Sequence, residues 1–401
     1  MVWARLGVMY ELFETLRRSP DIEAPNLFAS DASDRLVLDE AAGVLGESGS
    51  RIGSGEVVVI GDRYGALTLG AAAEFGLAGI RTHQDRLVGE QALARNAEAA
   101  GLTDRYLSLP LSEELLSGAR VVLLQLPRGL AELDELADSI ARYAHPDVVV
   151  FGGGRIKHLT HAMNDTLAVH FSEVNASLAR QKSRVIVARG ARRPVDALPY
   201  PKREHNAELG LTVAAHGGVF AGVGLDIGTR FVLEFLDRAV GEVTAAPPTE
   251  RSLTAIDLGC GTGIIAAVLA RRFPSLTVIA SDQSAAACSS AGETMASNRL
   301  AGVRVVRDAG LALQPDASAD LIVCNPPFHV GSSVHTGVAL GLFRDAGRVL
   351  RPGGVLLTVF NSSLAYQPDL RRLVGPTRVW GQNTKFSVTA STRSATRSAG
   401  N

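Results

Sequence analysis

Cysteine is scarce in this 401-residue chain: Cys260, Cys288 and Cys324 are odd in number, far apart and never in a CxxC pair. That pattern excludes a disulfide framework and a zinc knuckle. Long apolar runs are missing too. The longest, such as residues 263–270, are about eight residues, well short of the ~18 that a membrane-spanning helix needs, so insertion into a membrane is excluded. The first 19 residues lack the charged, apolar, small-residue order of a signal sequence. Glu11, Glu14, Arg17 and Arg18 within an apolar pattern read instead as an amphipathic helix, and the chain is expected in the cytoplasm. Charge of one sign is missing as well, with 40 Lys+Arg against 41 Asp+Glu. A near-zero sum speaks neither for nor against a nucleic-acid partner, because binding depends on where the cations sit. What is plentiful is apolar residues, 46% of the chain. This is a globular profile, and the length suits two or three domains.

The chain repeats itself at long period. Residues 57–60 form a β-branched run ending in Gly61-Asp-Arg-Tyr-Gly65, and residues 253–258 form a similar run ending in Gly259-Cys-Gly-Thr-Gly263. Each leads into an Ala/Leu-rich helical segment and then a short element ending near an aspartate, Asp85 or Asp282. The next apolar strand closes on Pro127 in the first half and on Asn325-Pro326-Pro327 in the second. The offsets are 198 for Gly61 to Gly259, 197 for Asp85 to Asp282 and 199 for Pro127 to Pro326. Three landmarks in one register imply two copies of one α/β unit, each a mostly parallel sheet with helices on both faces. The expected domains are 1–190 and 206–390, joined by a Pro-rich basic linker at 191–205 and followed by a disordered Ser/Thr/Arg tail at 391–401.

The second copy carries the chemistry. Glycines at 259, 261 and 263 let the backbone turn sharply and a ligand approach closely. Their GxGxG spacing, preceded by Asp257, departs from the GxGxxG of dinucleotide sites and resembles that of class I methyltransferases, which bind S-adenosylmethionine. Asp282 ends the next strand, where a carboxylate can accept hydrogen bonds from ribose hydroxyls. Asp308 ends the third, within reach of an adenine edge. Either aspartate could instead cap the helix that follows.

The strand at 320–324 then delivers Asn325-Pro326-Pro327-Phe328. An exocyclic amine on a planar base is a poor nucleophile, because its lone pair is delocalised into the ring. The Asn325 side-chain oxygen and the Pro326 carbonyl can accept its two N–H groups and aim the nitrogen at a methyl sulfonium. Prolines bring no competing N–H and keep the turn rigid. Phe328 offers a face on which an extruded base can stack. Proximity and orientation do the work, with no strong general base required.

These residues, with Gly331 after the loop, the preceding Gly218-Val-Phe220 and Leu225-Asp226-Ile-Gly228-Thr229, and the duplication, resemble the bacterial ribosomal RNA guanine-N2 methyltransferases of the RsmC and RlmG kind. The resemblance is close over about 217–386 and holds only in outline before that; Ala221 stands where serine is common. It implies two tandem Rossmann-like class I methyltransferase domains. The C-terminal one would bind S-adenosylmethionine and methylate a guanine N2 in ribosomal RNA or a ribosomal subunit. The N-terminal one would be a degenerate copy that aids RNA recognition or folding. Asp257, Gly259, Gly261, Gly263, Asp282 and Asp308 are then the expected cofactor residues, with Asp226, Gly228 and Thr229 near the methionine end, and Asn325, Pro326 and Phe328 are the catalytic ones. The first copy has Val59, Arg63 and Gln125-Leu-Pro-Arg128 where the second has Asp257, Gly261 and Asn325-Pro-Pro-Phe328, so no chemistry is expected there.

His329 and His335 flank the loop and are read as loop or surface contacts. His158 and His161 lack a third ligand for a metal, and none is expected. Arg189, Arg192, Arg193, Lys202, Arg203, Arg371, Arg372, Arg378, Lys385, Arg393 and Arg397 are candidate phosphate contacts. The enzyme is expected to be a monomer. Two other readings remain open. One is a methyltransferase acting on another planar nitrogen, adenine N6 or a release-factor glutamine amide; the other is a non-catalytic RNA-binding assembly factor.

Overall fold

A computed structural model describes residues 11–46, 52–245, 251–327 and 333–394, with the side chains of 333–336 left out. Its contacts divide the chain into two units between Tyr200 and Pro201. Each unit holds a seven-stranded sheet. In the first unit the strands are β1 (Val57–Ile60), β2 (Ile80–His83), β3 (Tyr106–Ser108), β4 (Val121–Gln125), β5 (Val149–Arg155), β6 (Phe171–Ala176) and β7 (Ser183–Ala191). Their order across the sheet is β3-β2-β1-β4-β5-β7-β6, with only the last two strands introducing antiparallel pairs.

The second unit opens with a hairpin of β8 (Lys202–Asn206) and β9 (Leu211–Ala215). Its sheet follows with β10 (Thr254–Leu258), β11 (Thr277–Asp282), β12 (Arg304–Arg307), β13 (Ala319–Cys324), β14 (Leu350–Asn361), β15 (Thr377–Gln382) and β16 (Phe386–Thr392). The order β12-β11-β10-β13-β14-β16-β15 repeats that of the first unit strand for strand. The expected linker 191–205 thus contains the end of β7 and the start of β8. The expected tail opens with the last two residues of β16, and from 395 onward it lies outside the described residues.

The strand sequences explain the layering. A parallel strand is covered on both faces by its crossover helices and so reads as a continuous apolar run. β4 is Val-Val-Leu-Leu-Gln and β13 is Ala-Asp-Leu-Ile-Val-Cys. Alternate residues go to opposite faces, so each unit has two cores. In the second, Ala255, Leu321, Val323 and Leu357 pack with the helix Ile264–Arg272 on one side, while Ile256, Leu258, Ile322 and Leu356 pack with Phe343 and Tyr366 on the other. Fully burying each Ile or Leu contributes roughly 1.5–3 kcal/mol.

Strand register refines the internal alignment. Ile60 lies beside His83 in the first unit and Leu258 beside Ser281 in the second, so the residue matching Asp282 is Gln84, one before Asp85. Leu124 and Cys324 likewise match, which places Gln125 opposite Asn325 and Pro127 opposite Pro327. The offset is 198 through the first crossover and 200 at the fourth strand; the values of 197 and 199 expected from aspartate and proline landmarks are each one residue off.

Candidate active site

Four adjacent parallel strands of the second unit end on one edge. The order reverses between β10 and β13, a crevice where α/β sheets bind ligands. Leu258 and Cys324 are register partners, so the glycine loop and the Asn-Pro-Pro turn leave their strands side by side.

The glycine loop is built for close approach. Gly259, Gly261 and Gly263 have φ of 76°, 52° and 77°, the left-handed region that costs other residues roughly 1–2 kcal/mol. A Cβ at Gly259 would meet nothing within 4 Å, and one at Gly261 would meet only Val219 at 4.0 Å, so the loop faces open space. Gly263 serves packing instead: a Cβ there would lie 2.9 Å from Met295 Cε and 3.0 Å from Ala291 Cβ. The half-buried Asp282 carboxylate accepts from Gly261 N–H at 3.0 Å and from Ser284 N–H at 2.9 Å. It therefore braces the loop while standing at its edge.

Asp257 and Asp308 lie deeper, each 1% exposed. Asp257 accepts from Ala266 N–H at 3.0 Å, satisfying one of the open donors in the first turn of the following helix. Asp308 accepts from Leu313 N–H at 2.9 Å. Both hold the backbone that shapes the pocket. Burial pushes the Asp257 carboxyl up to about 7, with the Asp282 charge adding to it and the Ala266 bond opposing it. The folded chain thus keeps a proton that the unfolded chain releases near pH ~4, and stability should fall as pH rises from there to about 7, then level. Asp257→Asn keeps an acceptor for Ala266 and is expected to gain melting temperature relative to the parent across that window. Parallel melting curves from pH 4 to 8 would rule this out.

Asn325 is the centre of the arrangement. Its Nδ2 donates to Asp226 Oδ2 at 3.2 Å and to Thr229 Oγ1 at 3.0 Å. A carboxylate only accepts, so this contact fixes the amide orientation. The other end, Asn325 Oδ1, is buried with no hydrogen-bond partner among the described residues. A buried acceptor left unpaired costs about 1–3 kcal/mol and asks for a donor. Asp226 is itself held as the N-cap of the helix Ile227–Leu233, accepting from Thr229 N–H at 3.1 Å. Gly228 makes the contact possible: a Cβ there would stand 3.0 Å from Asp226 Oδ2 and 3.4 Å from both Asn325 Oδ1 and Phe386 Cε1.

Asp226, Gly228 and Thr229, expected at the methionine end of a cofactor, are thus gathered around Asn325. Pro326 is buried and Pro327 exposed. Phe328, His329 and Gly331 lie outside the described residues, as does the side chain of His335. Sequence reasoning missed the amide lock, which joins residues 99 and 96 positions apart. Among the candidate phosphate contacts, Arg203 pairs with Glu293 at 2.7 Å, Arg372 with Asp369 at 2.6 Å and Arg378 with Glu242 at 2.8 Å.

The first unit shows the same frame with its loop closed. Thr68 N–H, the counterpart of Ala266 N–H, is satisfied at 2.7 Å by Asp62 of the loop, because Val59 stands where the strand would supply a carboxylate. Asp62 also accepts from Gly65 N–H at 3.0 Å, and Gln84 Nε2 donates to the Asp62 carbonyl. Tyr64 is buried, its hydroxyl 2.8 Å from Asp21. Gln125 repeats the gesture of Asn325, donating to Asp34. Arg63, at the place of Gly261, is exposed; Asp62, Tyr64 and Gln84 are the buried side chains at this loop.

Comparison with known proteins covers both units. The model of the Methyltransferase small domain family matches residues 210–390, and that of the RLMG N-terminal domain matches residues 10–192. The Ribosomal RNA large subunit methyltransferase G of Pseudomonas aeruginosa strain PAO1 is 34% identical over 379 residues, 93% of this chain and 96% of its own. The protein of that name from Streptomyces avermitilis is 34% identical over 386 residues, 93% and 95% of the two chains. Among solved structures, T. thermophilus 16S rRNA N2 methyltransferase RsmC, in complex with AdoMet and guanosine, superposes with a TM-score of 0.70 at 21% identity. It covers 96% of this chain and 99% of its own, and shows the shared fold.

Proposed function

Because this chain belongs to the ribosomal RNA large subunit methyltransferase G family, we propose that its second unit methylates the exocyclic N2 amine of a guanine in large-subunit ribosomal RNA, using S-adenosylmethionine. The observation that carries an N–H-bearing planar acceptor is the buried Asn325 Oδ1, without a partner among the described residues, beside an amide nitrogen already held by Asp226 and Thr229; the choice of guanine among such acceptors rests on the family. An amine N–H supplies the donor that this oxygen lacks.

The pocket fits the cofactor. Open space lies over Gly259 and Gly261, a carboxylate stands at the loop's edge in Asp282, and the walls are stiffened by Asp257 and Asp308. The bound cofactor supplies an electrophilic methyl group on a sulfonium. The chain's own residues orient the acceptor: Asn325 Oδ1 takes one amine N–H, the Pro326 carbonyl takes the other, and Phe328 stacks on the base. The proton leaves to water after transfer. The first unit, about 1–190, is read as non-catalytic, since Asp62, Tyr64 and Gln84 occupy its loop and Gln84 replaces the ribose-binding carboxylate. The cytoplasm suits a ribosomal RNA substrate, and no described helix is long and apolar enough to cross a membrane.

The test is to incubate the protein with labelled cofactor and a large-subunit ribosomal RNA transcript or particle, then digest to nucleosides. N2-methylguanosine is the expected product. Label in N6-methyladenosine, or in a release factor and not in RNA, would replace this reading with another planar acceptor; cofactor binding without transfer to any of them would end it.

A further inference from the structure

Large apolar side chains that stand in water beside a site mark a surface made for contact. Among the described residues of the second unit four are exposed: Phe220, Ile227, Leu313 and Val379. Phe220 is 67% and Ile227 57% exposed, and both stand on the one segment, 216–229, that runs from the glycine loop to Asn325. At its start the His216 N–H donates to Ser290 Oγ at 2.9 Å. Val219 is buried, and its Cγ1 is the nearest atom, at 4.0 Å, to a Cβ placed on Gly261. Further on, Asp226 holds the Asn325 amide, and Ile227 follows it as the first residue of the helix Ile227–Leu233. The segment is thus fixed on the cofactor side by Val219 and on the acceptor side by Asp226. Phe220 comes directly after the first fixed point and Ile227 directly after the second.

The turn that carries Phe220 is strained. Ala221 has φ of 63° and Gly222 of 55°, so two successive residues are left-handed, a conformation unfavourable for alanine. The turn is closed by the Gly222 N–H on the Val219 carbonyl at 3.2 Å and the Gly224 N–H on the Ala221 carbonyl at 3.1 Å. In the free protein the strain is kept and the ring is left in water, and both disfavour the folded state. A partner with a flat apolar face offsets both. Every nucleobase has such a face, and stacking on it tolerates any sequence. A guanine presented to Asn325 must leave its own stack, so each of its neighbours loses a stacking partner. Apolar side chains can take that partner's place, an aromatic ring by stacking and an aliphatic chain as a wedge.

We propose that Phe220 and Ile227 form an apolar lip that packs on the bases next to the target guanine once it is extruded, Phe220 by stacking and Ile227 as a wedge. The proposal rests on guanine in RNA being the acceptor, as read above. Its signature is a dependence on the neighbouring bases with no dependence on charge.

The experiment measures binding of the full-length protein to a large-subunit ribosomal RNA transcript, and to a fragment centred on the guanine found to be methylated, with methylation kinetics on both. A second fragment carries abasic sites in place of the two neighbours. Phe220→Ala is expected to weaken binding to the transcript and the intact fragment on the order of tenfold, the scale of one lost base–aromatic stack. KM for RNA should rise in step, while affinity for S-adenosylmethionine stays within about twofold. Phe220→Trp should retain most of the affinity, and Phe220→Leu, apolar without a ring, should lose most of it. Ile227→Ser should cost less, about threefold. On the abasic fragment the parent protein and Phe220→Ala should bind alike. The slope of log affinity against log salt should not change, because no cation is removed. Val379→Ser, at an exposed apolar residue on the outermost strand β15, is the control and should bind as the parent does. Unaltered affinity in Phe220→Ala, or an equal loss on the intact and abasic fragments, would overturn the proposal. So would a fall in cofactor affinity, which would place the ring on the cofactor. A Phe220→Ala loss on the transcript by a protein that methylates no guanine would refute the functional reading and leave the stacking surface standing.

Discussion

Asn325→Ala should lower methyl transfer on the order of 10²- to 10³-fold, the scale of losing one pre-aligned hydrogen-bond group at a reacting centre. Cofactor affinity should stay within about twofold, because Asn325 contacts Asp226 and Thr229 and not the glycine loop. Single-turnover rates at saturating cofactor and RNA read the first quantity and calorimetry the second. The same geometry makes a sharper demand. Asp226→Ala frees the amide to rotate and present its nitrogen to the pocket, so the rate should fall by a large part of the Asn325→Ala loss. In the Asn325→Ala background the same change should cost little more, since the two residues act as one unit. Thr229→Ser keeps the hydroxyl that Asn325 uses and should retain most of the rate, whereas Thr229→Val should not. Additive losses at 226 and 325 would show that Asp226 works through something other than this amide.

Gly261→Arg, which installs the residue found at the matching place in the first unit, should abolish measurable cofactor binding and with it all transfer. Gly261 has φ of 52° and looks onto open space. An arginine there adds backbone strain of roughly 1–2 kcal/mol and a side chain in the space a ligand requires. The unit should still fold, since no neighbour crowds the position; Val219 at 4.0 Å is the nearest atom to a new Cβ. A fold check by circular dichroism with an isotherm for S-adenosylmethionine separates the two effects. Retained binding would show that the ligand does not pass over Gly261.

Much of this architecture was legible in residue order. Apolar strand runs, the glycine loop and the Asn-Pro-Pro turn are local signals, and the duplication multiplied them. What escaped was non-local or one residue wide. The pairing of Asp226 with Asn325 spans 99 positions, and nothing in either segment announces it. Asp85 was the visible landmark, yet strand register selects Gln84, because an acidic residue draws the eye while pairing is set by backbone hydrogen bonds. The burial of Asp257 and Asp308 was equally hidden: an aspartate after a strand looks the same in sequence whether it faces a ligand or an amide of its own chain. One hint was available in Gln125, which stands where Asn325 does and performs the same bond to an aspartate. A carboxamide at that place in the copy whose loop Asp62 closes indicates a structural duty separate from the chemistry.

The placement of one carboxylate, on the strand in the second unit and at Asp62 of the loop in the first, makes the difference between the two copies resistant to single substitutions. Restoring an acid at Val59 alone would crowd two carboxyls around a single Thr68 amide, and removing Asp62 alone would strand that amide without an acceptor. Each step back is worse than standing still, so reversion needs both changes at once. The pairing needs of one peptide N–H thus hold the two loops in their separate forms.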